Sequence, residues 1–159
     1  RFYGRQNRPL PGRTVMGGLR ITGAGVVRQK MTMVGVRAHQ LIDQWLEIAG
    51  QVIEKEARLN APIDTGDLEK AIVHDKTSPK TMSVYVDPDK LDLESRDGYD
   101  YSIKMHEDTD YKLGPLSQRK ADLMPDRMVG AKYLERAIKD NEKELRAEAA
   151  KILKELARL

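Results

Sequence analysis

The chain has 159 residues, 40% hydrophobic and 33% charged, enough for one domain with a core but not for two independent ones. It has no cysteine, which excludes disulfides, thiolate metal sites and cysteine nucleophiles, and no apolar run approaches the roughly 20 residues that span a bilayer. The net charge of +3 is uneven: residues 1–42 hold eight basic residues and no acidic one, which leaves 20 of the 28 basic residues and all 25 acidic ones to the remainder.

The basic segment, 1–35, holds Arg1, Arg5, Arg8, Arg13, Arg20, Arg28 and Lys30, seven glycines, Pro9 and Pro11. It has no apolar stretch of secretory-signal type. Such a composition buries too little apolar surface to fold alone, so an extended N-terminal arm ordered by neighbouring subunits is expected. Val26-Val27, Met31, Met33 and Val34 are its short apolar pieces. They could add to the sheet edge of a neighbour, where backbone hydrogen bonds need little sequence specificity.

From about Val36 to Leu59, Leu41, Ile42, Trp45, Ile48, Ala49, Val52 and Ile53 recur at steps of three and four, the stripe of an amphipathic helix. Asn60 and Pro62 stop it, because proline lacks the amide proton and restricts the residue before it. Asp67 to Lys70 read as a helical turn, with Asp64 or Thr65 accepting from its free amides and Gly66 permitting a backbone angle closed to other residues. Leu68 and Ile72 then face the core.

Ala71 to Thr77 and Thr81 to Val86 follow as an antiparallel pair joined through Ser78-Pro79, the second alternating Met82, Val84, Val86 with polar partners. Residues 87–100 form an acidic loop. Tyr101, Ile103 and Met105 alternate like a strand, although Tyr101 and Met105 are also one helical turn apart. A short helix opens near Ser117. From about Gly130 to Leu159 a second long helix carries Leu134, Ala137, Ile138, Leu145, Ala149, Ile152 and Leu156 on one side, with the i,i+4 pairs Glu135–Lys139 and Glu142–Arg146 outside. Core packing explains both stripes; Leu145 onward could instead seat against a neighbouring subunit. The expected class is α+β: two long amphipathic helices on a small, mostly antiparallel sheet, with the arm at 1–35 and a single domain at 36–159.

Asp64-Thr65-Gly66 is the tripeptide that carries the aspartate of retroviral-type proteases. Those enzymes place it after a very hydrophobic strand and bring two copies together to share a proton. Here a helix end and Pro62 precede it and there is no second copy, so no catalytic residue is assigned. Asp87 and Asp89 match the first two positions of an EF-hand loop, but Leu91 and Asp92 stand at the fifth and sixth. His106-Glu107 lacks the second histidine of a zinc-protease helix, and His39 and His74 are distant in sequence. The glycines match no nucleotide fingerprint, so no cofactor and no metal is expected. The basic arm could contact nucleic-acid phosphates, yet it offers only Phe2 and Tyr3 as stacking partners; docking on an acidic protein surface is the preferred reading.

Several short stretches resemble one family. Ala61-Pro62-Ile63-Asp64-Thr65-Gly66-Asp67-Leu68, after an amphipathic helix, resembles the signature of the tail-component, or neck, proteins of tailed bacteriophages. Tyr101 with Met105-His106-Glu107 is similar to that family's tyrosine followed by a glutamate, and Tyr111 to Ser117 to the loop of one subgroup. Val129-Gly130-Ala131-Lys132-Tyr133-Leu134-Glu135-Arg136-Ala137 resembles the entry to its final helix. The resemblance runs from about Val36 to Lys143. It departs at Asp108, where glycine is usual, and at Ala131 and Tyr133, where proline and phenylalanine are common.

The resemblance implies a non-enzymatic virion protein that assembles as a ring of six or twelve copies. That ring would lie between the head-completion connector and the tail terminator or tail tube. DNA would pass through the lumen without specific binding, helped by the acidic body, and no membrane is involved. Assembly in the host cytoplasm precedes a place in the virion. The motif residues it singles out as structural are Pro62, Asp64, Thr65, Gly66, Leu68, Tyr101, His106, Glu107, Gly130, Tyr133 and Leu134. Arg5, Arg8, Arg13, Arg20, Val26, Val27, Arg28 and Lys30 are the candidate subunit contacts of the arm. A nucleic-acid-binding accessory protein using that arm is the alternative.

Overall fold

The computed structural model describes residues 24–94 and 98–158. Helix α1 runs from Ala24 to Asn60, 37 residues and therefore about 55 Å long. Its apolar positions Val27, Met31, Val34, Ala38, Leu41 and Trp45 alternate steps of four and three, the spacing of a helix–helix seam. The helix ends where Pro62 removes an amide. Ala61 N closes the last turn onto Ala57 O at 2.8 Å, and Lys120 Nζ donates to the terminal carbonyls of Arg58 and Ala61, both at 2.7 Å.

A short helix α2 (Asp67–Ala71) follows, with Asp67 and Glu69 in its first turn, where negative charge suits the helix dipole. It leads into β1 (Ile72–Ser78) and β2 (Thr81–Val86). These pair antiparallel from Ile72 opposite Val86 to Ser78 opposite Thr81, with an irregularity between Lys76 and Ser78. A 3-10 turn at Pro88–Lys90, α3 (Ser102–Glu107), α4 (Pro115–Leu123) and α5 (Tyr133–Leu156) complete the order. Helix α5 returns antiparallel along α1: Gly130 N bonds Asn60 O at 2.9 Å at one end, and Arg37 meets Glu155 at 3.2 Å at the other. The core is Ile53, Ala57, Ala61, Leu68, Ala71, Ile72, Leu91, Tyr133 and Ala137, flanked by Val84, Val86, Met105, Leu134 and Leu145.

The two-helix, antiparallel-hairpin architecture is the one expected from the sequence, with several local corrections. Helix α1 begins at Ala24, so Val26, Val27, Arg28 and Lys30 stand on a helix and not on an extended segment that could join a sheet edge. The four-three spacing of Val27, Met31, Val34 and Ala38 continues the stripe through Gly25 and Gly35, each of which costs a helix only about 1 kcal/mol. Arg5, Arg8, Arg13 and Arg20 lie outside the described residues. Tyr101, Ile103 and Met105 belong to a helical turn rather than a strand: Met105 N bonds Tyr101 O at 2.9 Å. The first turn of α2 is entered through Gly66, at φ 90°, as its position suggested. Thr65 Oγ1, however, bonds the Asp67 carboxylate rather than a backbone amide. In the last helix Tyr133 and Ala137 are fully buried, and Leu134 packs half-buried beside the core. Trp45 is half-buried, while Ile42, Ile48 and Ile138 are exposed.

The hairpin lies on α1, and Gly50 marks the closest approach. A Cβ built there would stand 2.8 Å from Met82 Cγ and 2.9 Å from the His74 ring. Gly50→Ala removes a helix-weakening glycine but overpacks this contact, so a net loss of about 1–2 kcal/mol is expected, read as a lower denaturation midpoint at unchanged m-value.

His74 fixes the same contact electrostatically. Its Nδ1 meets Glu54 of α1, its Nε2 lies 3.1 Å from Glu47, two turns earlier on the same face of α1, and its backbone amide donates to Glu54 Oε2 at 3.0 Å. Arg58 pairs with Glu54 at 2.6 Å, and Lys76 with Asp43 at 2.7 Å, on either side. The hydrogen bonds from Glu54 and then Glu47 raise the His74 pKa above its ordinary 6.5, and the His74 bond lowers that of Glu47 below 4.5. The raised imidazole therefore contributes stability that is fully present below about pH 6.5 and is lost as pH rises through the folded value. The Glu47 contribution is present above 4.5 and is lost as pH falls. His74→Gln is thus expected to cost most between about pH 4.5 and 6.5. Melting temperatures of the two proteins should converge in the alkaline range; a gap that widens with pH would contradict the clamp.

Candidate functional site

A cleft of about 470 Å³ opens beside the C-terminal end of α1. One wall is the loop 62–66 with the start of α2, the second is Tyr101 and Met105 of α3, and the third is Tyr111 to Ser117. Pro62 forces the chain off the helix axis, and Gly66 turns it back through the left-handed region, so Asp64 and Thr65 stand exposed on the rim. Ser117, 3% exposed, ties two of the walls together: its hydroxyl donates to Ile63 O and accepts from Ile63 N, both at 2.8 Å. One helical turn on, Lys120 bonds the α1 carbonyls and Glu69. The loop is therefore held on both sides by α4.

The cleft brings together Pro62, Asp64, Thr65, Gly66, Leu68 and Tyr101 of the residues singled out in the sequence. The others form a second cluster. His106 Nδ1 contacts Glu107 at 2.8 Å, Glu107 pairs with Lys132, and Lys132 N donates to His106 O at 2.7 Å. The Lys132 bond, then that from His106, holds the Glu107 pKa below 4.5. The Tyr133 and His106 rings are T-shaped with centroids 4.9 Å apart, and the Tyr133 hydroxyl donates to Ser102 O at 3.4 Å. Burial pushes the Tyr133 phenol upward. Gly130, at φ 132°, sits against Tyr111, whose hydroxyl would be 3.4 Å from an added Cβ. Leu134 joins through the core.

Sequence reasoning missed Ser117 and Lys120 as loop clamps; their i,i+3 spacing on one short helix was the available signal. It also missed Arg136, whose guanidinium reaches the carbonyls of Asn60, Met128, Gly130 and Ala131, and no sequence pattern announces those partners. Among the described residues no group of His, Cys, Asp or Glu could hold a metal ion, and no helix is long and apolar enough to cross a membrane.

The cleft is apolar at Pro62, Leu68, Met105 and Leu116, with carboxylates at Asp64 and Asp67, an ammonium at Lys112 and a backbone fixed by buried side chains. A family model described as "Bacteriophage HK97-gp10, putative tail-component" matches residues 26–112. The chain belongs to this HK97-gp10-like family of phage tail components. The match begins within the first turns of α1 and ends in the third wall of the cleft, so it includes Val26 to Lys30 and stops before Gly130, Tyr133 and Leu134. No curated protein and no solved structure matches the chain.

Proposed function

We propose that the chain is a ring-forming component of the phage neck that joins the head-closing connector to the tail and performs no catalysis. The observation that carries this reading is the family match over α1, the hairpin and the cleft walls. The partners are further copies of the same chain, the head-completion connector on one side, and the tail terminator or tube on the other. The net negative charge of residues 43–159 suits a lumen through which DNA slides, since like charges repel. The arginines before residue 24 then meet acidic surfaces on adjoining rings, which guides docking more than it adds affinity. Assembly takes place in the host cytoplasm.

Particles made without this protein should separate into heads and tails, and a tag on its C-terminus should label the neck in negative stain. Labelling along the tail shaft or at the distal tip would overturn the neck assignment. Asp64→Asn should leave no peptide cleavage to lose; cleavage by the purified protein that disappears in this variant would reinstate a protease.

A further inference from the structure

We propose that the first turns of α1 in one copy seat in the cleft at residues 62–68 and 111–117 of a second copy, a head-to-tail contact repeated around the ring. This rests on the ring reading above and names the contact that closes it.

The apolar seam of α1 outruns its intramolecular partner. The Arg37–Glu155 pair marks the level of the last turn of α5, and α1 continues for about three further turns beyond it. Over those turns Val27 is 58% exposed and Met31 is 70% exposed, and Val26, Met33 and Val36 are exposed as well. These five stand among Arg28, Gln29, Lys30 and Thr32, so the segment presents apolar side chains that no part of its own domain covers, with cations between them. Residues 1–23 precede this segment, so a cleft receives its exposed apolar side chains, and these are the plug.

The same chain carries a matching socket. Its cleft lies in the volume range of roughly 300–1,000 Å³ that holds ligand-sized groups, and Leu116, Met105 and Leu68 line it with apolar surface. Charges agree in balance: the plug carries Arg28 and Lys30 with no acidic residue in its first turn, and the socket carries Asp64 and Asp67 against the single cation Lys112. No copy can fill its own socket. Met31 lies 29 residues before Asn60 on one continuous helix, roughly 44 Å from the cleft end. Two different complementary surfaces at opposite ends of a rigid rod make a heterologous contact, which closes into rings when the rotation allows.

The absence of cysteine makes a disulfide test clean. Met31→Cys and Leu116→Cys place thiols at two exposed positions, one on the plug and one on the socket wall. In oxidised virions carrying both substitutions in one chain, a reductant-sensitive ladder of this protein is expected. In virions carrying a mixture of the two single variants, the products should stop at dimers. Val27→Asp with Met31→Asp should keep the circular dichroism of the fold and lose incorporation into particles. Several results would overturn the contact: no ladder in particles that contain the double variant, linkage of Met31→Cys to itself or to a different virion protein, or undiminished incorporation of the aspartate variant. If such particles still show a labelled ring at the neck, only this contact fails; if the label is elsewhere, the ring reading fails with it.

Discussion

Replacing Tyr133 with Ala is expected to lower stability by about 3–5 kcal/mol, the usual range for deleting a buried aromatic ring. Tyr133 is 0% exposed and belongs to the cluster formed by the end of α1, α2, the start of β1 and the loop residue Leu91. Its ring also stands nearly perpendicular to that of His106, a contact worth about 0.5–1.5 kcal/mol beyond area burial. Tyr133→Phe keeps the ring and loses only the 3.4 Å bond to Ser102 O, so it should cost less than about 1 kcal/mol. Leu134→Ala, at a half-buried position, should fall between the two. Urea denaturation of the three variants ranks them; an equal loss for Tyr133→Ala and Leu134→Ala would show that the two residues share the burial.

That ranking also shows where sequence reasoning reached its limit. Tyr133 and Leu134 are adjacent, and helical periodicity alone favoured the aliphatic one as the inward residue. What decides is the entry to α5, where Lys132 takes a left-handed conformation at φ 57° and donates its amide to His106 O. Such a turn rotates the first helical residue toward the core, and nothing in residue spacing encodes it. The hairpin was legible because Met82, Val84 and Val86 alternate strictly. The cleft was legible in part, since Pro62 and Gly66 are punctuation that proline and glycine alone provide.

The first turns of α1 were misjudged for the opposite reason. Glycine count and absence of acidic residues outweighed a four-three apolar spacing that was present all along. Tyr101 to Met105 was open to both periods, and five residues are too few to separate a strand from a helical turn. The clamps of the cleft were beyond reach, because Ser117 and Lys120 act across 51 to 62 residues of chain.

Arg136→Met is expected to cost about 2–3 kcal/mol, because it removes the charged donor from the carbonyls of the buried residues Gly130 and Ala131 and from two neighbouring carbonyls. The guanidinium donates to Met128 O at 2.8 Å, Gly130 O at 3.2 Å and Asn60 O at 3.4 Å, and to Ala131 O. Burial lowers its pKa from the ordinary arginine value, an indication of how far it is withdrawn from water. These carbonyls belong to the last turn of α1 and to the whole turn that leads into α5, so one side chain staples the two long helices at their junction. The negative end of the α1 dipole favours a cation there. Arg136→Lys keeps the charge but replaces a planar fork with a single ammonium, so it should recover only part of the loss. Gly130, whose amide also bonds Asn60 O, touches Tyr111 of the cleft wall. Loss of the staple should therefore raise hydrogen exchange at residues 128–132 before it affects the hairpin. Uniform acceleration across the hairpin and the turn alike would mean that Arg136 supports the domain as a whole and not this junction.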